Sequence, residues 1–222
     1  MSAKETLLTI KDLTWRYPDN VDTLFDHFNF TLHQGDFHVL MGKSGTGKTT
    51  IVKLITGELH APSNTIHYRS EDIAKWTEVD MENYRKKIGI VFQDYRLFEE
   101  DSVRENIAYP LKIFGLGETI IETKVDNVIT ELNLRNLVDK SVETLSSGEK
   151  QKLCLARAII HNPEFIIADE PTGNLDREHT QQVADILIKA NKLGNTVFLI
   201  THDIHLVHYL KEKHAIQIDI LD

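Results

Sequence analysis

Eight residues, Gly42-Lys43-Ser44-Gly45-Thr46-Gly47-Lys48-Thr49, set glycines, a lysine and a hydroxyl at the spacing G-x-x-x-x-G-K-[ST]. That pattern suits the binding of a phosphate chain. Glycines let successive backbone N–H groups turn toward one anion with no Cβ in the way. Lys48 is long enough to reach β- and γ-phosphates, and the Thr49 hydroxyl suits a Mg²⁺ ion. A second group, Asp169-Glu170, closes the apolar run Phe165-Ile166-Ile167-Ala168. A carboxylate delivered beside a phosphate loop can hold Mg²⁺, directly or through water. The adjacent Glu170, on the other side of the strand edge, can orient and deprotonate a water attacking the γ-phosphate. His202 ends the next apolar run and is suited to donate to that phosphate or to hold the water. Plainer readings stand beside these: a glycine turn that binds nothing, and two acids that simply end a strand. His202, His205 and His208 also raise a metal cluster, but their spacing lacks the i, i+4 pair of zinc-binding helices.

Strands and helices must position these groups, and the chain supplies them. Phe37–Met41 is a short apolar run of strand type before the glycine loop, and Thr50–Ile55 carries apolar residues at helical spacing after it. The helix that starts at Gly47 offers unpaired N–H groups and a positive dipole end. On this reading the phosphate-binding set is Gly42, Lys43, Ser44, Gly45, Thr46, Gly47, Lys48 and Thr49, with Thr50 directly behind it. Upstream, residues 5–17, His27–Leu32 and Asp36–Met41 read as strands of a small β-rich layer, with a turn at Pro18-Asp19-Asn20. Tyr17 is the aromatic suited to stack on an adenine ring; alternatively Tyr17 and Trp15 cover the edge of that layer. Thr65–Tyr68 and Ile88–Phe92 are further strands. Asp80–Lys87 between them reads as a surface helix whose basic end is solvated. From Asp94 to about Val142 the pattern turns helical, at Ser102–Lys112 and Glu118–Leu132, with acids at Glu99, Glu100 and Asp101. This is a helical insertion between two strands of the nucleotide-binding sheet, either a solvated loop region or a partner-facing surface. Leu145-Ser146-Ser147-Gly148-Glu149 opens another helix, an anion-friendly start that is also an ordinary N-cap. Asp176–Leu193 is amphipathic, Thr196–Ile200 is a further strand, and His214–Leu221 a last one. Alternating strands and helices predict an α/β fold with a mostly parallel sheet covered on both faces.

Composition sets limits. The chain has 222 residues, 41% hydrophobic and 27% charged, enough for one domain with a proper core. A formal net charge of −9 argues against a general nucleic-acid binder. The single cysteine, Cys154, allows no intrachain disulfide and suits a reducing compartment. No signal peptide is expected behind Met1-Ser2-Ala3-Lys4-Glu5. No apolar run approaches the ~20 residues of a membrane span. The expectation is a cytoplasmic protein that meets the membrane only through a partner.

With these pieces in order the sequence resembles the ATP-binding-cassette (ABC) ATPases over essentially its whole length. The glycine loop at 42–49, Gln93 after a strand, Leu145-Ser146-Ser147-Gly148-Glu149, Phe165–Glu170, Asn174-Leu175-Asp176 and His202 stand in that family's order. The resemblance implies a single cassette over 1–222, with a RecA-like core and an N-terminal antiparallel β layer at about 1–93 and 160–222. It implies a helical subdomain at about 94–159. It implies ATP and Mg²⁺ as ligands. Gln93 would sense the Mg²⁺ and the attacking water, Asp169 and Thr49 would hold the metal, Glu170 would be the general base and His202 the switch histidine. Ser146, Gly148 and Glu149 would form the signature segment, which caps the γ-phosphate on the opposite subunit of an ATP-dependent homodimer. Asp176 would cross the interface. Asp169-Glu170-Pro171-Thr172-Gly173-Asn174-Leu175-Asp176 is similar to the subgroup that holds cell-division, lipoprotein-releasing and MacB-type ATPases. Val91–Phe98 and Ser102–Pro110 are most similar to its cell-division branch, whose members act with a membrane protein to control peptidoglycan hydrolases. Residues 94–110 are then the expected docking segment. Two departures stand out. Ser147 replaces the usual first signature glycine, which could slow closure and raises the alternative of a weakly hydrolysing, nucleotide-regulated scaffold. The tail lacks the usual Asn-Gly or Asp-Gly hairpin, so the final β layer is expected to be abbreviated.

Overall fold

The computed structural model describes residues 4–18, 21–173 and 175–221. Part of the expected Pro18-Asp19-Asn20 turn, and Asn174, therefore lie outside the described residues. Five parallel strands form the central sheet: β3 (Phe37–Gly42), β6 (Ile88–Val91), β7 (Phe165–Asp169), β8 (Thr196–Thr201) and β9 (Gln217–Leu221), in the order β6-β7-β8-β3-β9. Every residue of β7 and β8 is buried, which explains why both read as continuous apolar runs rather than alternating ones. A second, antiparallel sheet, β2-β1-β4-β5, is built from β1 (Thr6–Trp15), β2 (Phe25–His33), β4 (Ile66–Tyr68) and β5 (Glu71–Asp72). This is the α/β architecture expected, with the β-rich N-terminal layer beside a parallel core.

Strand alternation sends the core in two directions. Phe198 and Ile200 of β8 face a cluster with Leu8 and Leu54, so that α1 (Lys48–Ile55) and the antiparallel sheet cover one face. Val197 and Leu199 face the other way, onto α5 (Ser147–Ile159), α6 (Arg177–Lys192) and α7 (Ile204–Lys213). A third cluster joins α3 (Val103–Ile113) and α4 (Glu118–Glu131) to the same α5. α5 thus packs on two sides: Cys154, Leu155 and Ala158 toward the sheet, Leu153, Ala156 and Ile160 toward the helical layer. Within the helical insertion between β6 and β7, α3 and α4 therefore pack against α5, whose N-cap is Ser146.

Three features add to or differ from the sequence expectation. The basic end of α2 (Glu78–Arg85) is exposed, as expected, but it does more than meet solvent: Arg85 donates to the carbonyls of Thr56 and Gly57, and so caps the end of α1. Lys87 lies against the Tyr68 ring. The helix α7 fills a stretch to which the sequence reading assigns no element: Leu206, Val207 and Leu210 form its buried face, and Asp203 caps it by accepting from His205 N and Leu206 N. The tail strand β9 is the edge of the central sheet rather than part of a separate layer, and it runs parallel to β3 directly under the glycine loop.

Candidate functional site

The glycine loop joins β3 to α1, as its strand–loop–helix setting requires. Gly45 and Gly47 have φ of +88° and +93°, the left-handed region that a side chain would strain. Gly47 serves as the N-cap of α1 with no side-chain cap, so the first N–H groups of the helix are left for an anion. A Cβ on Gly47 would also meet the Phe25 ring at 2.7 Å, and one on Gly42 would meet the Leu221 carbonyl at 2.7 Å. The loop is thus wedged between β2 and the tail strand. Lys48 is buried, and its Nζ donates to the carbonyls of Gly42 (2.8 Å) and Lys43 (2.7 Å) while lying 3.4 Å from Glu170 Oε1. The ammonium is held inside the loop, facing the space a phosphate chain would fill.

Asp169 and Glu170 leave the end of β7. Asp169 is 2% exposed, and among the described residues its Oδ1 finds no partner. Burial pushes its carboxyl above the usual range, against the Thr49 hydroxyl and the Lys48 ammonium, which pull it down. A buried carboxylate oxygen without a partner, beside a threonine hydroxyl, is the oxygen donor set that suits Mg²⁺. Glu170 turns away from that strand with φ of +46°, a conformation that costs a non-glycine residue about 1–2 kcal/mol. Its N–H is tied to the Ile200 carbonyl at 2.8 Å. Its carboxylate then accepts from His202 N and from the Thr201 hydroxyl, both at 3.2 Å, and pairs with His202 Nδ1 at 2.7 Å. The ends of β7 and β8 thus deliver a carboxylate–histidine pair to one edge of the sheet.

One cavity of about 370 Å³ gathers Tyr17, Leu24, Ser44, Gly45, Gly47, Lys48, Thr49, Thr50, Gln93, Glu170 and His202. Tyr17 packs edge-on against Trp15 with ring centroids 4.4 Å apart, and it also lines the cavity, its hydroxyl 2.9 Å from Thr50 Oγ1. Gln93 is exposed and enters the cavity from the turn after β6.

Ser146, Gly148 and Glu149 are not among the residues that line this cavity. They form the start of α5, where Ser146 and Glu149 make a reciprocal capping box: Glu149 N donates to Ser146 Oγ, and the Glu149 carboxylate accepts from Ser146 N at 2.8 Å and Oγ at 2.9 Å. Gly148 is buried under the His179 ring, which a Cβ there would meet at 2.4 Å. His179 in turn is held by Asp176, the N-cap of α6. The start of α5 and Asp176 are therefore joined through His179, apart from the glycine loop. The His179 contact was not legible in the sequence, where nothing pairs residue 148 with residue 179. His205 and His208 lie on α7, while His202 is engaged with Glu170.

A family model described as ABC transporter matches residues 25–173. The cell division ATP-binding protein FtsE of Bacillus subtilis (strain 168) is 34% identical over 207 residues, covering 93% of this chain and 90% of FtsE. The lipoprotein-releasing system ATP-binding protein LolD of Idiomarina loihiensis is 29% identical over 221 residues, covering 98% and 97%. Among solved structures, the dimeric post-hydrolysis state of the ATP-binding cassette MJ0796, bound to ADP and Pi, superposes with a TM-score of 0.85. It is 25% identical and covers 97% of this chain and 94% of its own.

Proposed function

The chain belongs to the ABC transporter family of ATP-binding and ATP-hydrolysing cassettes, and from that premise we propose that it is the motor subunit of an FtsE-type membrane complex. Its integral membrane partner is FtsX-like, and its role is cell division through control of peptidoglycan hydrolysis. The observation that carries the motor reading is the convergence of Lys48, Thr49, Gln93, Glu170 and His202 on one cavity beside the unpartnered Asp169 oxygen.

Within that cavity the chain's groups divide the work. The glycine-loop amides and the Lys48 ammonium hold the β- and γ-phosphates, with Lys43, Ser44, Thr46 and Thr50 completing the cradle and Tyr17 meeting the base. Thr49, Asp169 and Gln93 are the residues that would hold Mg²⁺, which when bound supplies charge neutralisation on the phosphate oxygens. Glu170 takes the proton from the attacking water and His202 fixes Glu170 and the γ-phosphate end. Most of the acceleration is positioning and charge stabilisation. The site is completed by Ser146 and Gly148 of a second copy, so two ATP molecules lie between two chains. Glu149 contributes through its cap on Ser146. Residues 94–159 act as a helical subdomain that moves with α5.

The docking segment is 94–110. Phe98 and Tyr109 are each 41% exposed with ring centroids 4.4 Å apart, and Glu99, Glu100 and Asp101 flank them. The buried Asn106 holds the Phe98 backbone through both its N–H (3.0 Å) and its carbonyl (2.9 Å), so the ring is presented on a rigid mount. Such a patch suits an apolar helix with a basic flank. Among the described residues no helix is long and apolar enough to cross a membrane, so a membrane role needs such a partner. The near full-length match to LolD supports a second reading, the ATPase of a lipoprotein-releasing or MacB-type exporter, with the same site residues.

Glu170→Gln, incubated with ATP and native membranes and then recovered by affinity, distinguishes these readings. Co-purification of an FtsX-like membrane protein supports the division complex. Recovery of an exporter core moves the function to transport. Recovery of no membrane protein, or capture unchanged by Phe98→Ser with Tyr109→Ser, removes the docking assignment.

A further inference from the structure

Gln93 sits inside a turn of uncommon shape. Tyr95 N donates back to the Phe92 carbonyl at 3.2 Å, closing the chain around Gln93. Beyond Asp94, the consecutive residues Tyr95 and Arg96 both lie in the left-handed region, with φ of +61° and +48°. Two consecutive non-glycine residues in that region persist only where the surroundings over-determine them.

What over-determines them comes from two directions. On one side, the Arg96 guanidinium lies 3.8 Å from the centre of the Phe92 ring and pairs with Asp94 at 3.3 Å and Glu58 at 2.9 Å, just beyond the end of α1. On the other side is Arg157 of α5. Its two terminal nitrogens donate separately to the carbonyls of Arg96 (2.6 Å) and Tyr95 (2.8 Å), the two left-handed residues. The Cys154 thiol, one turn earlier on α5, lies 3.4 Å from the same Tyr95 carbonyl. Among the described residues no carboxylate pairs with Arg157, and burial draws its pKa down. A guanidinium placed there without an acid is spent on those two carbonyls, and its planar fork spans both at once, which an ammonium does not.

We propose that Arg157 is a positioning residue for Gln93: from the helix that begins at the signature serine it fixes the left-handed Tyr95-Arg96 turn, and so ties the placement of α5 to the nucleotide site. The proposal rests on Gln93 belonging to that site. A shift of α5, whether from a second copy at Ser146 or from a partner at residues 94–110, reaches Gln93 through this fork. Ser146 marks one end of α5 and Arg157 lies in its last turn, so one rigid helix carries both contacts.

The test is steady-state ATP hydrolysis by the full chain, with Arg157→Lys, Arg157→Gln and Gln93→Ala made singly and Gln93→Ala combined with each. Arg157→Gln leaves no buried charge, so it serves if the lysine variant does not fold. Both Arg157 variants are expected to lower kcat by about tenfold or more while KM for ATP stays within about twofold, because the cradle is untouched. In the Gln93→Ala background the same substitutions are expected to add less than about a twofold loss. An equal loss of kcat with and without Gln93, a rise in KM with kcat unchanged, or parental turnover in the Arg157 variants overturns the proposal. Parental turnover in Gln93→Ala removes Gln93 from the site itself, and the proposal with it.

Discussion

Gly148→Ala isolates the packing that supports the signature segment. The added Cβ would lie 2.4 Å from His179 Cδ2, 2.8 Å from Nε2 and 2.9 Å from Cγ. Ordinary contacts between such atoms are about 3.5–4.0 Å, so the ring must yield by roughly 1 Å. It is not free to do so, since His179 N and Nδ1 are both 2.8 Å from Asp176 Oδ1. Overpacking of this kind costs about 1–3 kcal/mol. For a chain of this length each kcal/mol moves Tm by roughly 2–4 °C, which puts the loss at about 2–12 °C. The assay is thermal unfolding of the nucleotide-free protein, followed by the same measurement on Gly148→Ala combined with His179→Ala. Removing the ring removes the collision, so the double variant is expected to recover most of the lost Tm, a coupling that distant sites would not show. A Gly148→Ala protein that melts within a degree of the parent, or a double variant no better than the single one, refutes the argument.

Asp169→Asn tests the metal assignment through pH. Burial raises the Asp169 carboxyl above the usual range. Between the ordinary and the raised pKa the folded chain binds more protons than the unfolded one, so the free protein loses stability as pH rises through that window and carries the full penalty above it. At neutral pH nucleotide-free Asp169→Asn is therefore expected to melt at or above the parent, while the rise in Tm on adding MgATP shrinks. An undiminished rise contradicts a metal role. Cys154 is buried with its thiol pushed up to about 12, so it is expected to resist maleimide in the native protein and to react on unfolding; fast native labelling contradicts the α5 packing.

The candidate site was largely legible in the sequence because its residue types are dictated by local backbone needs. Gly45 and Gly47 mark left-handed positions, Lys48 and Thr49 stand at a fixed offset from them, and Asp169-Glu170 ends an apolar strand. The helical insertion was visible because its period changes between β6 and β7. What stayed hidden is long-range. Nothing in the sequence pairs Gly148 with His179, Arg85 with the end of α1, or Arg157 with the Tyr95 carbonyl, since each contact joins segments far apart in the chain. The left-handed Glu170 and Tyr95-Arg96 were hidden for a different reason: no glycine announces them, because tertiary bonds enforce the conformation instead. The role of the tail was also hidden. Its missing hairpin suggested an abbreviated layer, whereas Leu221 of β9 packs against Gly42.

We propose a nucleotide site shared between two chains, with Glu170 as the base. The mass in solution of Glu170→Gln with MgATP tests it most directly, read beside its rate of hydrolysis and against the same protein with ADP. The expected result is twice the monomer mass with two ATP molecules retained, reversal in ADP, and hydrolysis lowered by about 10²–10⁴-fold. A monomer holding ATP, or a variant that hydrolyses at the parental rate, contradicts it.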